Sequence, residues 1–475
     1  MSERNVETGT RNSGGPAAPP PVTRTLAEYL VSSRWEDIPT DVRHEAARAL
    51  VNYLGCALGG SHDAAVDTAI RALSPFSGPP VAAVLGRAER LDPLHAALMN
   101  GISSHVEDFD DTTPQNYIHP SSPVASALFA YASANDVSGR DFVHAFILGV
   151  EAESRVGNAV FPAHYDVGWH ITGTAGIFGA AAAIGRLRGL DVRQMVWALG
   201  LAATQAAGLR EMFGSMGKAF HPGRAAQNGY ASAILAESGF TAGERGIEGA
   251  RGFAAVQAAT YDLARVTAAL GTDFNLRRNT YKPFPCGIVN HPTIEAAIAL
   301  HDQHGLAPES IRAVRLSVAP LVLDLCNQQN ITRGLQGKFS VYHGAAVGLV
   351  RGKAGLQEYT DAAVNDAAVK QVRERVTATG DPSLTEDQAR IEVELADGRT
   401  LRHSVEQSLG NIHRPLSDEQ LNDKFRAQAV LALADAQAGR ALDLCWRLAD
   451  LADASALVAA CVPEPAVASL GGAAR

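Results

Sequence analysis

Acidic and imidazole side chains are concentrated between residues 105 and 120, in the stretch HVEDFDDTTPQNYIHP. The stretch holds four carboxylates and two histidines, which are side chains that transfer protons or bind divalent ions. Asp108 and Thr112 are four residues apart, so they share one face if a helix continues through them. The two prolines of the stretch interrupt regular helix, which places His119 on a loop or at a new helix start. The pattern therefore predicts an acid/base cluster, a metal site or a solvated helix end.

Two further segments place basic side chains near runs of small residues. His170, in HYDVGWHITGTAG, follows a loop and begins a helix. The helix macrodipole disfavours its cationic form there, so it is expected to stay neutral as a base or donor, or simply to pack as a core histidine. Lys218, His221 and Arg224 crowd a predicted loop with four glycines, in REMFGSMGKAFHPGRAAQNG. Glycine permits close backbone approach to a ligand, so this loop predicts an anion site, with an ordinary basic surface loop as the alternative.

Two weaker segments lie later in the chain. Lys282 stands between turn signals in NTYKPFPCGIVNHPTIEAA, and His291 with the following proline opens a helix. Tyr342 and His343 precede another small-residue helix in GKFSVYHGAA, although buried Tyr and His are also common in cores. All five segments are Gly- or Pro-broken loops that run into helices. Such loops are expected to converge on one cavity where two domains meet, a common place for a small-molecule site.

The elements that position these residues are mainly helical. Residues 1–24 are rich in Gly, Pro and Ser and are predicted to be a disordered tail. Thr25 stands three residues before Glu28, which is capping-box spacing, so helix is expected from there. Apolar residues then recur at spacings of three and four. Residues 25–272 are predicted to form a large helical domain, which residues 408–475 rejoin.

Strand patterns occupy the middle of the chain. Val314, Leu316 and Val318 alternate with polar residues in IRAVRLSVAP. In ARIEVELADGRTLRHSVE, an Asp-Gly pair separates two alternating runs, which is a strong hairpin signal. Residues 273–407 are therefore predicted to form a smaller α/β domain inserted into the helical one. The fold class expected is mainly α.

Composition narrows the class of protein. A formal net charge of −9 argues against a nucleic-acid or anionic-membrane partner, since both favour net positive charge. The five cysteines are far apart and form no CxxC pair. A zinc ribbon or disulfide framework is therefore not expected, and a cytoplasmic location is. The small apolar run at 172–185 is too short to span a bilayer, and the N-terminal sequence lacks the apolar core of a secretory signal.

Five motifs occur in the order found in one enzyme family. They are HVEDFDDT…HPSSPVASAL, GWHITGTAGIFGAAAA, GSMGKAFHPGRAAQNG, YKPFPCGIVNHPTIEAA and KFSVYHGAA. Together they resemble the MmgE/PrpD family, which includes 2-methylcitrate dehydratase, cis-aconitate decarboxylase and iminodisuccinate epimerase. The resemblance runs from about Thr25 to at least Phe425. It implies a large helical domain built from both chain ends, a smaller α/β lid, a homodimer, and no organic cofactor or metal.

The resemblance also implies roles for individual residues. These family reactions break a bond next to a carboxylate, so they need cations for the carboxylates, a base and an acid. The expected catalytic residues are Asp108, His119, His170, Lys218, Tyr342 and His343. The expected substrate-binding residues are Thr112, Lys218, Lys282 and His291. His119 and His170 would be the acid/base pair, Asp108 would orient a histidine or take the proton, and Tyr342 or His343 would donate from the lid.

Two positions depart from the decarboxylase pattern. Five residues after Lys282, where the decarboxylase carries a histidine, this sequence has Gly287. The tyrosine of the decarboxylase is matched by His343, with Tyr342 just before it. Both departures fall at expected proton donors.

The expected function is a cofactor-independent lyase acting next to a carboxylate of a small di- or tricarboxylic acid. A dehydratase of the 2-methylcitrate type comes first, with an epimerase of an iminodisuccinate-like acid or a cis-aconitate-type decarboxylase as the alternatives. Two other classes stay open. One is a metal-dependent hydrolase whose ligands would be His105, Asp108, Asp110, Asp111 and His119. The other is an inactive oligomeric member of the family.

Overall fold

The protein is described from a computed structural model over residues 20–464. The predicted tail at 1–24 lies mostly outside these residues. The first helix begins at Val22 with Pro21 before it, so Thr25 lies inside the helix rather than at its cap. The capping-box prediction was wrong, because Thr25 lies within the first turn and its hydroxyl donates to the carbonyl of Pro21 at 3.1 Å instead of accepting from a free backbone N–H.

Helices dominate the first part of the chain, with one two-stranded hairpin among them. They are α1 (Val22–Ser32), α2 (Thr40–Gly59), α3 (Ala64–Leu73), α4 (Pro93–Val106), α5 (Ser121–Ala132), α6 (Gly139–Val160), α7 (Ala163–Asp166), α8 (Ile171–Leu187), α9 (Val192–Ala203), α10 (Met216–Glu237), α11 (Phe253–Gln257) and α12 (Ala264–Thr267). The hairpin pairs β1 (Ala82–Ala83) with β2 (Arg90–Leu91).

The middle of the chain mixes strands and helices. Its elements are α13 (His291–His304), β3 (Ile311–Val318), α14 (Pro320–Leu325), α15 (Gly334–Gly337), α16 (Val341–Arg351), α17 (Asp361–Val364), α18 (Ala367–Arg373), β4 (Val376–Gly380), β5 (Ala389–Leu395) and β6 (Thr400–Val405). The chain then returns to helix in α19 (Asp418–Ala429), α20 (Asp435–Trp446) and α21 (Ser455–Ala460). The mainly α fold class is confirmed.

The sheet of the middle region has the order β4-β3-β5-β6. β3 runs parallel to β4 and antiparallel to β5, and β5 pairs with β6 across the predicted Asp-Gly turn. Val314, Leu316 and Val318 are buried, as their alternation predicted. They belong to one buried cluster with residues of α13 and α16, which gives this region its own apolar core.

The buried apolar residues form two clusters. The helical cluster takes residues from 22–281 and again from 416–461, and the α/β cluster takes residues from 286–405. We refer to these as the helical part and the α/β part. The C-terminal helices therefore pack on the N-terminal ones, as expected for an inserted α/β region. The domain limits at 272/273 and 407/408 stay predictions.

Glycine contacts set the close helix packing beneath the site. A Cβ added to Gly101 on α4 would lie 2.3 Å from Cα of Gly223 on α10. The two backbones therefore cross in direct contact, which only glycine permits. This crossing brings the first turns of α10 against the loop that follows α4. The segment around Lys218 was predicted as a loop but is helix, and its glycines serve packing between helices rather than ligand approach.

Candidate active site

A cavity lies where the helical part meets the α/β part. It encloses about 60 Å³ measured at the centres of water-sized spheres, which is room for roughly four to six waters. It is lined by Asp108, Thr112, Tyr117, His119, Tyr165, His170, Phe213, Lys218, Lys282, Gly287, Ile288, Val289, Leu325, Cys326 and Phe339. One wall is polar and ionisable, and the other is aromatic and aliphatic.

Asp108 is bound by two ammonium groups. Its Oδ1 lies 2.5 Å from Nζ of Lys218 and 2.9 Å from Nζ of Lys282. Burial works to raise the pKa of Asp108, but the two lysines outweigh it and hold that pKa well below its ordinary value. Burial lowers the pKa of Lys218, whereas Asp108 and Asp110 raise that of Lys282 against burial. Two cations thus share one carboxylate on the cavity wall.

Backbone geometry brings these three residues together. α4 ends at Val106, and Asp108 has a φ of 51°, in the left-handed region that ends regular helix. Asp108 and Thr112 therefore reach the cavity from a loop, not from one helix face. Thr112 and Thr280 form a short antiparallel bridge, which sets Lys282 beside Asp108. Rings of Phe213 and Phe339 flank the ammonium group of Lys218 at 5.3 and 5.4 Å.

Asp110 holds two histidines. Its Oδ2 accepts a hydrogen bond from Nδ1 of His105 at 2.7 Å, and its Oδ1 lies 3.2 Å from Nδ1 of His119. Thr112 Oγ1 is 3.3 Å from the same nitrogen of His119. Burial lowers the pKa of His119, while Asp110 opposes that shift. Asp110 is therefore the carboxylate that orients a histidine, a role the sequence had suggested for Asp108.

His170 occupies the N-cap position of α8, as the sequence predicted. Its Nδ1 shares a hydrogen bond of 2.9 Å with Nδ1 of His221. Burial, with His105 and Lys218 adding to it, holds the pKa of His170 well below its ordinary value. Its ring meets Phe213 edge-on, with centroids 5.1 Å apart. His170 is thus a neutral imidazole on the cavity wall.

Asp111 faces away from the lysines and ties the loop to α5. Its Oδ2 accepts from Ser121 Oγ at 2.5 Å and from Asn279 Nδ2 at 2.6 Å. Burial raises the pKa of Asp111 to about 7. Its contacts are those of a structural residue at the beginning of a helix.

Lys424, on α19, supports the site from behind, and sequence reasoning missed it. Its Nζ donates to Asn52 Oδ1 at 2.7 Å, to the carbonyl of Phe109 at 2.6 Å and to the carbonyl of Lys282 at 2.9 Å. Burial lowers its pKa to about 8. These bonds fix the backbone next to Asp108 and at Lys282. The only available signal was a lysine among the apolar positions of a predicted helix.

Comparison with known proteins places the chain in a family. Residues 24–265 match the MmgE/PrpD N-terminal domain, and residues 284–448 match the MmgE/PrpD C-terminal domain. The chain belongs to the MmgE/PrpD family. A cis-aconitate decarboxylase of Aspergillus terreus is 28% identical over 94% of this chain and 97% of its own length. The cis-aconitate decarboxylases of Mus musculus and Homo sapiens are each 25% identical over 92% of this chain and 92% and 93% of theirs. The prediction that this MmgE/PrpD protein is a lyase is confirmed as an enzyme class.

Six of the residues expected from the sequence line the cavity. They are Asp108, Thr112, His119, His170, Lys218 and Lys282. His291 is buried outside the lining and meets Phe284 edge-on, with centroids 5.5 Å apart. Its predicted role in substrate binding stays a prediction.

The two donors expected from the lid lie elsewhere. His343 is buried, and its Nε2 is 2.9 Å from the carbonyl oxygen of Glu358. The Tyr342 hydroxyl donates to Asn327 Oδ1 at 2.7 Å and accepts from Gln329 Nε2 at 3.0 Å. Neither lines the cavity, because both sit in the first turn of α16, where these contacts hold them within the α/β part. The lid-side donor predicted there does not fit this geometry.

Gly287 lines the cavity where the decarboxylase pattern has a histidine. A Cβ added at Gly287 would lie 2.8 Å from Sγ of Cys326. No side chain fits at this position unless Cys326 moves. The α/β side of the cavity is accordingly apolar.

Imidazole and carboxylate atoms also come close enough to suggest a metal ion. One ligand atom from each of His105, Asp108, Asp110 and His119 falls within 4.8 Å of the others, and so does one from each of His105, His119 and His170. Nε2 of His105 is buried without a partner among residues 20–464. A cation here would meet the two ammonium groups already bound to Asp108 and would displace imidazole from Asp110. The donor set therefore fits a divalent ion poorly.

Proposed function

We propose that this protein is a cofactor-independent lyase that acts next to a carboxylate of a small di- or tricarboxylic acid. The observation that carries this is one cavity wall with two lysines sharing one aspartate, beside two histidines in different environments. The cavity volume suits a small acid rather than a nucleotide-sized ligand. Membership of the MmgE/PrpD family supports the same class of reaction.

The lysine pair supplies the substrate-binding charge. Lys218 and Lys282 both bind the single carboxylate of Asp108, so neither ammonium group has a carboxylate of its own at this buried wall. A charge in such surroundings is strongly favoured to meet an anion. A substrate carboxylate is the natural occupant. Thr112 Oγ1, on the same wall, is a further hydrogen-bonding group.

The two histidines suit different proton-transfer roles. His119 has Asp110 beside it, which favours the imidazolium form that an acid needs before it gives up its proton. Among residues 20–464, no carboxylate contacts the ring of His170, and burial, the N-terminus of α8 and Lys218 all disfavour its cation. We assign His119 as the acid and His170 as the neutral base. Environments that separate two titratable groups in this way define an acid and a base.

Loss of water is the reaction this pair supports best. Nε2 of His170 removes the proton from the carbon next to a carboxylate, and the C–H electron pair becomes the new C=C bond. The C–O bond breaks, and the hydroxyl leaves as water with the proton from His119. The bound carboxylate carries the charge that develops, and Lys218 and Lys282 stabilise it.

Decarboxylation is the second candidate. Phe213, Ile288, Val289, Leu325 and Phe339 form the apolar part of the lining, and Phe213 and Phe339 lie against the ammonium group of Lys218. A carboxylate held against this apolar part loses hydration, which favours its departure as neutral CO₂. The electron pair left on carbon takes the proton from His119. The names of the curated relatives support this reaction.

The remaining expectations concern the whole protein. Within residues 20–464, no helix is long and apolar enough to cross a membrane. We propose a cytoplasmic enzyme that works as a homodimer, with a small carboxylate as its partner molecule and neither nucleic acid nor membrane as a binding partner. Size-exclusion chromatography with light scattering tests the dimer directly.

An NMR screen of acids tests the function. Citrate, 2-methylcitrate, cis-aconitate and iminodisuccinate are incubated with the protein in D₂O. Water loss, CO₂ loss and deuterium exchange at the α-carbon give different spectra, so dehydration, decarboxylation and epimerisation are separated. Turnover that disappears in His170→Ala and His119→Asn supports the assignment. Activity abolished by a chelator would favour the metal-dependent hydrolase, and no turnover with no shift in melting by any acid would favour an inactive family member.

A further inference from the structure

We propose that His221 is a positioning residue that holds His170 in the tautomer with a bare Nε2 facing the cavity. This rests on the proposed function, because it explains how His170 stays a base. Nδ1 of His221 lies 2.9 Å from Nδ1 of His170. His170 lines the cavity and is 1% exposed, whereas His221 stands behind it, outside the lining, and is 9% exposed. His221 therefore acts through His170 and does not touch the substrate.

A contact between two Nδ1 atoms contains one proton. Both rings are neutral, since burial lowers the pKa of His221 to about 4 and holds that of His170 well below its ordinary value. A neutral imidazole carries its proton on one nitrogen only. One ring must therefore donate through Nδ1 while the other accepts, and this choice fixes whether Nε2 of each ring is bare or protonated.

The charges in the cavity decide the direction. Because Nδ1 of His170 bonds to His221, the ring nitrogen that His170 presents to the cavity is Nε2. Lys218 and Lys282 line the same cavity. Their positive field favours a lone pair at that nitrogen and disfavours an N–H. His170 therefore donates from Nδ1 to His221, and its Nε2 is the bare, basic nitrogen.

The fold builds this contact from three elements. His221 lies one helical turn after Lys218 on α10, so both point toward the beginning of α8. A Cβ added to Gly208 would lie 3.2 Å from Cγ of His221, and Gly208 has a φ of 140° that favours glycine. The Gly208 carbonyl also accepts from the His170 backbone N–H at 3.0 Å. Gly208 thus leaves room for the ring of His221, and its carbonyl holds the backbone of His170 in place.

Two substitutions of His221 separate the effect of its hydrogen bond to His170 from the effect of the space it fills. In His221→Asn the carboxamide oxygen can occupy the place of Nδ1 and accept from His170. In His221→Leu no acceptor remains. We expect kcat of the leucine variant to fall at least about 10-fold with KM changed less than about threefold, because a base that spends much of its time in the wrong tautomer loses part of the roughly 10²- to 10⁴-fold gain of general-base catalysis. The asparagine variant should keep kcat within about threefold of the unsubstituted protein.

His164→Gln is the matched control. His164 is also buried, and its two nitrogens bond to the Gln257 carbonyl and to Thr174 Oγ1, away from His170. Loss of this imidazole should leave kcat near that of the unsubstituted protein. If His164→Gln and His221→Leu lower kcat equally, or if His221→Leu lowers nothing, the proposal is overturned.

A measurement that needs no substrate tests the tautomer of His170 independently of the proposed reaction. Nitrogen-15 NMR of imidazole-labelled protein distinguishes protonated from bare ring nitrogens, and His170→Asn identifies the His170 signals. We expect a protonated Nδ1 and a bare Nε2 on His170 in the unsubstituted protein. The opposite tautomer overturns the proposal even if an acid is turned over. The expected tautomer supports it even if no acid in the screen reacts or if His221→Leu does not fold.

Discussion

Replacement of Asp108 by asparagine tests the charge arrangement of the cavity. The substitution keeps the shape of the side chain but removes the carboxylate charge that Lys218 and Lys282 both bind. One lysine must then stay charged and unpaired or lose its proton. Discharging an ordinary lysine at pH 7 costs about 4.6 kcal/mol, and breaking a buried ion pair costs about 3–5 kcal/mol. The two estimates agree, so we expect the free energy of unfolding to fall by about 3–5 kcal/mol.

The expected loss is large enough to see by thermal melting. An unfolding entropy of about 2.1 cal/mol/K per residue gives a helical part of roughly 300 residues a shift of about 1.5 °C per kcal/mol, so Asp108→Asn should melt about 4–8 °C lower. Asp111→Asn is the matched control, because Asp111 is buried on the same loop but has Ser121 and Asn279 as partners instead of a lysine. Its pKa of about 7 means that the neutral asparagine resembles a form already populated. At pH 5, where the Asp111 carboxyl is still protonated in the folded protein, this variant should melt within about 2 °C of the unsubstituted protein.

The pH dependence and the ligand response sharpen the test. The folded pKa of Asp108 is depressed, so its stabilisation is complete above the unfolded value of about 3.9 and is lost as pH falls through the folded value. The melting gap should hold from pH 5 to 8 and close only in more acidic solution. A bound di- or tricarboxylate restores the missing negative charge, so it should raise the melting temperature of Asp108→Asn more than that of the unsubstituted protein. Equal melting of both aspartate variants would refute the reasoning.

Four further outcomes follow from the same contacts. Asp110→Asn should lower kcat about 10- to 100-fold, since a charge-assisted hydrogen bond contributes about 1.5–3 kcal/mol, and steady-state rates within threefold would contradict it. Asp111→Asn should gain stability relative to the unsubstituted protein between pH 5 and 8 in urea unfolding, because ionising a carboxyl whose pKa is raised to about 7 destabilises the fold as pH rises. Lys424→Met leaves three buried oxygens unpaired and should cost about 3 kcal/mol or more in urea unfolding; a loss below about 1 kcal/mol would show that they find other donors. Tyr342→Phe should keep kcat within about twofold and lose only about 1 kcal/mol of stability, whereas a large fall in kcat would return Tyr342 to the catalytic residues.

Local patterns in the sequence were enough to identify several elements. The Asp-Gly pair between alternating runs produced the β5–β6 hairpin, and the alternation of Val314, Leu316 and Val318 produced β3 with those side chains buried. His170 was expected at a helix beginning and caps α8. These features depend on residues within a few positions of each other, so spacing and turn chemistry are sufficient. The helix around Lys218 was missed because its glycines, which pack against other helices, resemble loop glycines.

Most of the expected residues that line the cavity could be identified from the sequence, but the partner that each one contacts could not. Asp108, His119, His170, Lys218 and Lys282 were all named from their types and motifs, and all line one cavity. Nothing in a linear spacing shows that Asp110 rather than Asp108 holds the histidines. The left-handed turn at Asp108 sends neighbouring carboxylates in different directions, and only the folded backbone decides which partner each one meets.

The contacts that support the site come from the most distant parts of the chain. Lys424 bonds to a carbonyl 315 residues away, and His221 meets a ring 51 residues away. Each contact forms because packed helices bring the two groups to hydrogen-bonding distance after both have lost their water. Residue type and spacing therefore determined which chemistry this protein can perform. The tertiary structure decided which proton each group holds, because burial and neighbouring charge set the protonation state of a side chain.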